Sequence, residues 1–299
     1  MNTIVTGGAG FIGSHLVRSL LALGHQVLII DNLSTGKVEN LPIQNILIND
    51  SLNSVSKLVT LFYRKDIVFH LAAQASVPRS IENPRLTFEV NIDGTMNVLE
   101  AAVHAGVRKV VFASSSAVYG NGAELMTETD EPRPLSPYAV SKFIGELLCI
   151  SYTSTYSLPT VCLRYFNVYG ERQSLTSQYG LAVPKFIDCA KKDLPVPIYG
   201  TGAQTRDYVF VDDVVEATIL AADKLTGVYN VGNGKSVSVN ELAKTIIQLT
   251  KSYSMVEYHE ARKGDPLHTK ASINKIRGEG FYPKWSLKEG LRRIINDKL

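Results

Sequence analysis

The sequence predicts an α/β fold, a doubly wound parallel sheet with a smaller C-terminal α/β lobe. Three observations predict it. Short continuous apolar runs alternate with stretches of helical periodicity. A glycine-rich turn joins the first run to the first helix. The rhythm loosens after Leu163. Strands that are apolar throughout belong to sheets covered on both faces, and right-handed crossovers then wind helices over each side.

Asn2 to Thr6 is the first apolar run, and Gly7 to Gly13 follows. Ile12, Leu16, Leu20 and Leu23 mark one face of a helix over 11–23, with Gly24 as its stop. The runs Gln26–Asp31, Gln44–Asn49, Asp66–Leu71, Lys109–Ala113 and Thr160–Leu163 read as further strands. Helix-like stretches lie between them at Leu52–Tyr63, Thr87–Ala105 and Pro137–Tyr156. Further on, Gly180–Lys191 reads as a helix and Asp207–Val211 as a strand. Asp212 reads as the cap of a helix to about Ala222, and Gly227–Val231 as a strand. Val239–Leu249 and Leu287–Ile295 read as amphipathic helices. The expected division is a dinucleotide-binding domain over 1–166, a segment near 205–231 that returns to its sheet, and a substrate-binding lobe over 167–299.

The chain has 299 residues, 45% of them hydrophobic and 20% charged, which excludes a disordered, collagenous or coiled-coil protein. Lys+Arg 31 against Asp+Glu 28 gives +3, too little charge to argue for nucleic acid or a membrane surface. No stretch reaches the ~18 uninterrupted apolar residues of a membrane span. Met1-Asn2 runs directly into Thr3-Ile4-Val5, which does not read as a signal peptide; a cytoplasmic location is expected from the cysteines. Cys149, Cys162 and Cys189 are odd in number and form no C-x-x-C, which fits buried thiols in a reducing compartment. The histidines show no metal-binding spacing, and no metal is expected.

Thr6-Gly7-Gly8-Ala9-Gly10-Phe11-Ile12-Gly13 joins a strand to a helix. Glycines at 7, 10 and 13 allow a tight turn and let backbone N–H groups approach a pyrophosphate at a helix N-terminus. The spacing is G-x-x-G-x-x-G rather than G-x-G-x-x-G, and alone it is weak. An acid, Asp31, ends the next strand, where a carboxylate accepts from both ribose hydroxyls of adenosine and repels a 2′-phosphate. Strand, glycine loop, helix and acid together predict a Rossmann site for NAD; a plain loop-capping role for Asp31 stays open.

Ser136-Pro137-Tyr138-Ala139-Val140-Ser141-Lys142 opens a helix with a good N-cap and a proline at the first helical position. Tyr138 and Lys142 are then one turn apart on one face. A free phenol has a pKa of about 10, and lowering it to about 7 takes roughly 4 kcal/mol. One ammonium plus an oxidised nicotinamide would supply that. Tyr-x-x-x-Lys alone also fits a surface pair. It gains meaning from the glycine loop and from Ser114-Ser115-Ser116 at the end of a predicted strand.

With these motifs in hand, the sequence resembles the extended short-chain dehydrogenase/reductase family and, within it, the nucleotide-sugar epimerase/dehydratase group. The resemblance covers nearly the whole chain. It rests on TGGAGFIG at 6–13, DNLSTG at 31–36, VFHLAAQ at 68–74, VNIDGT at 90–95, SSSAVYG at 114–120, YAVSK at 138–142, LRYFNVYG at 163–170, TRDYVFVDD at 205–213 and RKGD at 262–265. It implies that Gly7, Gly10, Phe11 and Ile12 hold the pyrophosphate of NAD. Asp31, Asn32, Ser34, Thr35 and Gly36 would surround the adenosine ribose, and Asp50 and Ser51 would meet adenine. Leu71, Ala72, Ala73, Gln74 and Asn91 would line the dinucleotide, and Tyr165, Phe166 and Val168 would border the nicotinamide. Tyr138 would be the base, Ser115 would share its hydrogen bond to the sugar, and Lys142 would also bind the nicotinamide ribose. Asn167 and Arg206 would bind the substrate diphosphate. Pro197, Ile198 and Tyr199 would border uracil, and Arg262 and Asp265 would hold the nucleotide.

The implied reaction is NAD-dependent 4-epimerisation of a UDP-hexose through a 4-keto sugar, as in galactose metabolism. Ser115 is followed by Ser116 and Ala117, so the acid that a 4,6-dehydratase uses is missing, and a decarboxylase is disfavoured on the same ground. Val168 replaces a proline common after Y-F-N, and 181–183 lack an expected asparagine. Thr269 stands where some members carry a bulky tyrosine, so a UDP-N-acetylhexosamine or UDP-glucuronate substrate stays open. An NAD(P)H-dependent keto-sugar reductase and a non-catalytic dinucleotide sensor are the other readings. Val98, Leu99, Val103, Phe143, Leu147, Leu148 and Ile150 exceed what one sheet contact needs. The family pairs these helices in a four-helix bundle, which implies a homodimer.

Overall fold

The computed structural model describes residues 1–42, 46–122, 124–173, 182–261 and 267–296. Strand β1 (Asn2–Thr6) leads through the glycine loop into α1 (Phe11–Ala22), and β2 (Gln26–Asp31) and β3 (Ile46–Asn49) follow. Next come α2 (Val55–Phe62), β4 (Ile67–His70), the short helices α3 (Val77–Glu82) and α4 (Pro84–Phe88), and α5 (Gly94–Ala105). Then β5 (Lys109–Ser115), α6 (Pro137–Tyr156) and β6 (Thr160–Tyr165) complete the first half. The second half runs β7 (Asn167–Tyr169), α7 (Ala182–Lys191), β8 (Val196–Tyr199), β9 (Thr205–Phe210), α8 (Val211–Lys224) and β10 (Gly227–Val231). It ends with β11 (Ser236–Ser238), α9 (Val239–Thr250), β12 (Val256–His259), α10 (Asn274–Gly278) and α11 (Leu287–Asn296).

A seven-stranded sheet has the order β10-β6-β5-β4-β1-β2-β3, and its pairings are parallel. Neighbouring residues serve opposite faces. Val5, Phe69, Val111 and Leu163 pack with α1 and α8 on one side. Ile4, Val68, Phe112 and Cys162 pack with α2, α5 and α6 on the other. Both faces are covered, so the strands are apolar without alternation. Each fully buried Leu, Ile or Phe contributes roughly 2–3 kcal/mol. A third core joins α7, α9 and α11 to a three-stranded sheet, β11-β9-β7, and a pair, β12-β8.

Local chemistry accounts for most helix ends. Ser136 Oγ accepts from Ala139 N at 3.2 Å and Pro137 occupies the first turn, so α6 starts where its sequence specifies. Gly106 takes φ +68° at the end of α5. Four expectations need correction. The helix expected over 87–105 begins at Pro84 and is interrupted by a π turn at Glu89–Asp93. Asp212 caps nothing: α8 starts at Val211, and Asp212 sits in its first turn, ion-paired with Arg293 at 2.8 Å. Strand β5 runs two residues further than expected and so carries Ser115. Val98 and Leu99 face the sheet core, whereas Leu147 and Ile150 are exposed. All three cysteines are buried and free.

His70 closes β4 inside the core. Its Nδ1 and Nε2 meet the hydroxyls of Thr6 at 2.8 Å and Thr95 at 2.9 Å. Burial, aided by the Lys142 charge, pushes His70 down to about 3. Between pH 6.5 and about 3 the unfolded chain therefore binds a proton that the folded state refuses. Stability should fall as pH drops through that window, by up to about 5 kcal/mol. Urea unfolding at pH 7 and pH 4.5 checks this; His70→Asn should flatten the difference between the two.

Candidate active site

The parallel strands end at one edge of the sheet, and Thr6, Asp31, His70, Ser115 and Tyr165 are the last residues of β1, β2, β4, β5 and β6. Strand order reverses between β4 and β1, and ligands of such sheets bind at the carboxyl ends beside that reversal.

The glycine loop sits there. Gly7 has φ +69°, and an added Cβ would lie 2.7 Å from the backbone N of Ala72. Left-handed backbone and contact with the segment after β4 both demand glycine. At Gly13 an added Cβ would collide with the carbonyl of Gly7. Gly10 is the N-cap of α1 and supplies no side-chain bond, so the first-turn N–H groups face the loop uncapped. Such an end, beside a backbone stripped of Cβ atoms, fits a pyrophosphate. Asp31 Oδ2 accepts from Ala9 N at 2.9 Å and Oδ1 from Leu33 N at 2.8 Å. It is thus a loop brace, and each oxygen keeps lone-pair capacity for a ribose hydroxyl. Gly36 lies against Asp31 and Ala9, while Asn32, Ser34 and Thr35 are exposed beside it. Asp50 pairs with Lys57 and accepts from Ser51 N at 2.8 Å; these bonds hold its carboxyl below the usual range.

A buried amide links this edge to α6. Asn91, in the π turn, accepts from Gln74 N at 2.7 Å through Oδ1. Its Nδ2 donates to Gln74 O at 3.0 Å and to Ser141 Oγ at 2.9 Å. Ser141 Oγ donates in turn to the Tyr138 carbonyl at 2.7 Å. The π turn is what aims Asn91 inward, a use often seen at functional sites.

Ser115, Tyr138 and Lys142 converge. Lys142, only 4% exposed, donates from Nζ to the Ala113 carbonyl at 2.8 Å and lies 5.0 Å from the Phe112 ring centroid. Burial lowers it to about 8, against the upward pull of Cys149 and Glu146. Ser115 accepts from Ala117 N at 3.2 Å, and the Tyr138 phenol lies near enough for the Ser115 hydroxyl to act on its proton affinity. The expected acidification of Tyr138 by Lys142 is not built into the protein alone. Burial pushes the phenol upward, and the Ser115 hydroxyl opposes that only in part. Lys142 meanwhile spends a hydrogen bond on β5.

Asn167 begins β7 two residues beyond Tyr165, which pairs with Ser115. Its Nδ2 donates to Asp207 O at 3.3 Å and lies 3.5 Å from Thr269 Oγ1. Arg206, on β9, donates to Thr205 O at 2.9 Å, and Val168, next to Asn167 on β7, is half-buried. Tyr165 turns its hydroxyl to Thr218 of α8 at 2.8 Å. Phe166 is buried against Tyr119. Ile198 is wholly buried in the small core, which leaves Pro197 and Tyr199 as the accessible residues of β8; Tyr199 stacks on His259 at 5.4 Å. Arg262 and Asp265, and the start of the helix expected from Gly180, lie outside the described residues.

Sequence reasoning missed Asp207. It is fully buried and accepts from Asn233 N at 2.7 Å, Gly234 N at 2.9 Å and Ala271 N at 3.1 Å. It holds the loops flanking Asn167 and Arg206 together, and burial pushes it up to about 6 despite three donors. The available signal was an acid directly before the apolar run Tyr208–Val211.

The profile of the NAD dependent epimerase/dehydratase family matches residues 3–232. A UDP-glucose 4-epimerase of Mycolicibacterium smegmatis is 39% identical over 309 residues, covering 99% of this chain and 97% of that protein. The crystal structure of Thermus thermophilus UDP-glucose 4-epimerase in complex with NAD superposes with a TM-score of 0.94 at 42% identity, covering 99% and 98% of the two chains. The UDP-N-acetylglucosamine 4-epimerase from Methanobrevibacter ruminantium, solved with UDP-N-acetylmuramic acid, gives a TM-score of 0.95 at 40% identity over 98% and 96%. With a family profile spanning most of its length and relatives matched end to end, this chain belongs to the NAD-dependent epimerase/dehydratase family.

Proposed function

We propose that the protein interconverts UDP-galactose and UDP-glucose by NAD-dependent epimerisation at C4. The observation that carries this reading is the meeting of Ser115, Tyr138 and Lys142 beside the glycine loop, with no carboxylic acid at positions 116 and 117. Relatives named as 4-epimerases support it.

The residues present fit NAD: the uncapped α1 start, the Cβ-free cradle at Gly7, and the Asp31 carboxylate at the ribose position. Gly7, Gly10, Phe11 and Ile12 would hold the pyrophosphate. Asp31, Asn32, Ser34, Thr35 and Gly36 would hold the adenosine ribose, and Asp50 and Ser51 would meet adenine. Leu71, Ala72, Ala73, Gln74, Asn91 and Val168 would line the remainder. Bound there, NAD supplies reversible oxidation of C4 through a transient 4-keto sugar.

The chain's own residues handle the proton and the position. Tyr138 takes the proton of the 4-hydroxyl and returns it. Ser115 bonds the same hydroxyl and orients it toward the phenol. Lys142 binds the nicotinamide ribose and favours the phenolate. Burial raises the phenol, and the positive charge of a bound oxidised nicotinamide would oppose that rise. Arg206 and Asn167 anchor the diphosphate so that the sugar can turn between half-reactions, with Pro197 and Tyr199 beside uracil and Arg262 and Asp265 on the nucleotide. Residues 1–166 with the 205–231 segment serve the cofactor, and the lobe over 167–299 serves the substrate.

The small Thr269 beside Asn167 favours a second reading in which UDP-N-acetylhexosamines are also accepted; UDP-glucuronate is a further candidate. The protein acts in galactose metabolism in the cytoplasm, in keeping with three unpaired thiols. No helix among the described residues is long and apolar enough to cross a membrane. Exposed Val77, Ile81, Leu86, Met96, Leu147 and Ile150 on α3 to α6 support a homodimer through a four-helix bundle.

Purified protein given UDP-galactose without added reductant should form UDP-glucose; no product with NAD bound rejects the reading, and stoichiometric NAD(P)H consumption would make it a reductase. Tyr138→Phe should lower kcat about a thousandfold. Asp31→Ala should weaken NAD binding roughly tenfold to a hundredfold, read by calorimetry, and erode the preference over NADP. Light scattering at micromolar concentration should give twice the monomer mass, and Leu147→Glu should halve it.

A further inference from the structure

One turn beyond Lys142, α6 carries Glu146, which is 1% exposed. Tyr138, Lys142 and Glu146 follow one another at four-residue spacing and so share a face. The Glu146 carboxylate binds both strands under that face. Ser114 Oγ on β5 donates to Oε1 at 2.5 Å. Arg164 on β6, itself buried, donates from Nε to Oε1 at 2.9 Å and from Nη2 to Oε2 at 2.7 Å. Ser114 and Arg164 are register partners, on the rung next to Ser115 and Tyr165. The guanidinium also lies 4.7 Å from the Tyr119 ring centroid. The proposed reaction uses none of these groups.

Burying two charges in a core is costly, and an apolar pair of the same volume often packs as well. The fork stands between the end of β5 and the catalytic helix, where a displacement of Ser115 or a change in the charge state of Lys142 would be felt at once. The titratable groups around Lys142 are few. Tyr138, Glu146 and Cys149 lie on its own helix, and His70 faces it from β4. Arg164 acts from β6 through Glu146. Glu146 is the carboxylate in that set.

We infer that Glu146 is a positioning residue for the reaction: it ties the β5 rung below Ser115 to α6 and places a carboxylate one helical turn from the Lys142 ammonium, with Arg164 as its counter-ion. The inference rests on the epimerase reading, in which Lys142 works as a cation.

The test is a titration of Lys142 itself in the full-length protein. Lysine labelled with carbon-13 at Cε reports protonation by NMR, and Lys142→Arg identifies the resonance. Glu146→Gln should move the midpoint of Lys142 down by about one pH unit or more, because a nearby opposite charge is lost and the Arg164 charge is unmasked. Arg164→Met should move it up, because Glu146 is then uncompensated. The signs are opposite, so either variant that folds decides the matter. A folded variant that leaves the midpoint in place overturns the inference and marks the pair as structural only. In the epimerase assay Glu146→Gln should lower kcat about tenfold with little change in KM. Since the titration needs no turnover, a parent that is inactive on UDP-sugars would sink the epimerase reading alone.

Discussion

A buried ammonium governs how this protein can be assembled. Lys142 sits between α6 and the sheet, where an unpaired cation would be disfavoured by several kcal/mol. The carbonyl of Ala113 and the face of Phe112 relieve that. Both belong to β5, so α6 docks well in one register only. The same register sets Tyr138 over Ser115, and the Asn91 amide then closes the link from α6 to the segment after β4. The contacts that dock α6 on the sheet are thus also the contacts that assemble the site.

Two carboxylates organise the loops at that edge in contrasting ways. Asp31 and Asp207 each accept backbone N–H groups from segments distant in sequence. Asp31 accepts one bond on each oxygen and keeps capacity for a ligand. Asp207 accepts three and is sealed inside the smaller lobe. The first braces the glycine loop, and the second ties the turn at 233–234 to Ala271 beside β9. A carboxylate can tie loops in this way because it accepts several donors without a fixed direction.

Much of the fold is legible in the sequence because it is local. Continuous apolar runs, Ser136-Pro137 at a helix start and Gly106 at a helix end specify their own geometry. The harder cases each involve a partner far along the chain. Asp212 reads as a cap, yet its partner is Arg293. The π turn at Glu89–Asp93 has no local signature, and it is stabilised where Thr95 bonds the Asn91 carbonyl at 2.6 Å and meets His70. Tyr165 and Ile198 lie in motifs that suggest contact with ligand, but strand alternation turns them toward α8 and the small core.

The sequence by itself determined the parallel sandwich, the glycine loop with its acid, and the presence of Ser115, Tyr138 and Lys142 at that edge. These follow from periodicity, from the steric demands of glycine and from helix spacing, all of which act within a few residues. Only the tertiary structure decided where each polar side chain spends its hydrogen bonds: Lys142 on Ala113, Glu146 on Ser114 and Arg164, Asp207 on three loop amides. Such choices depend on desolvation and on which donors the folded chain brings within about 3 Å, and neither exists until remote segments have packed.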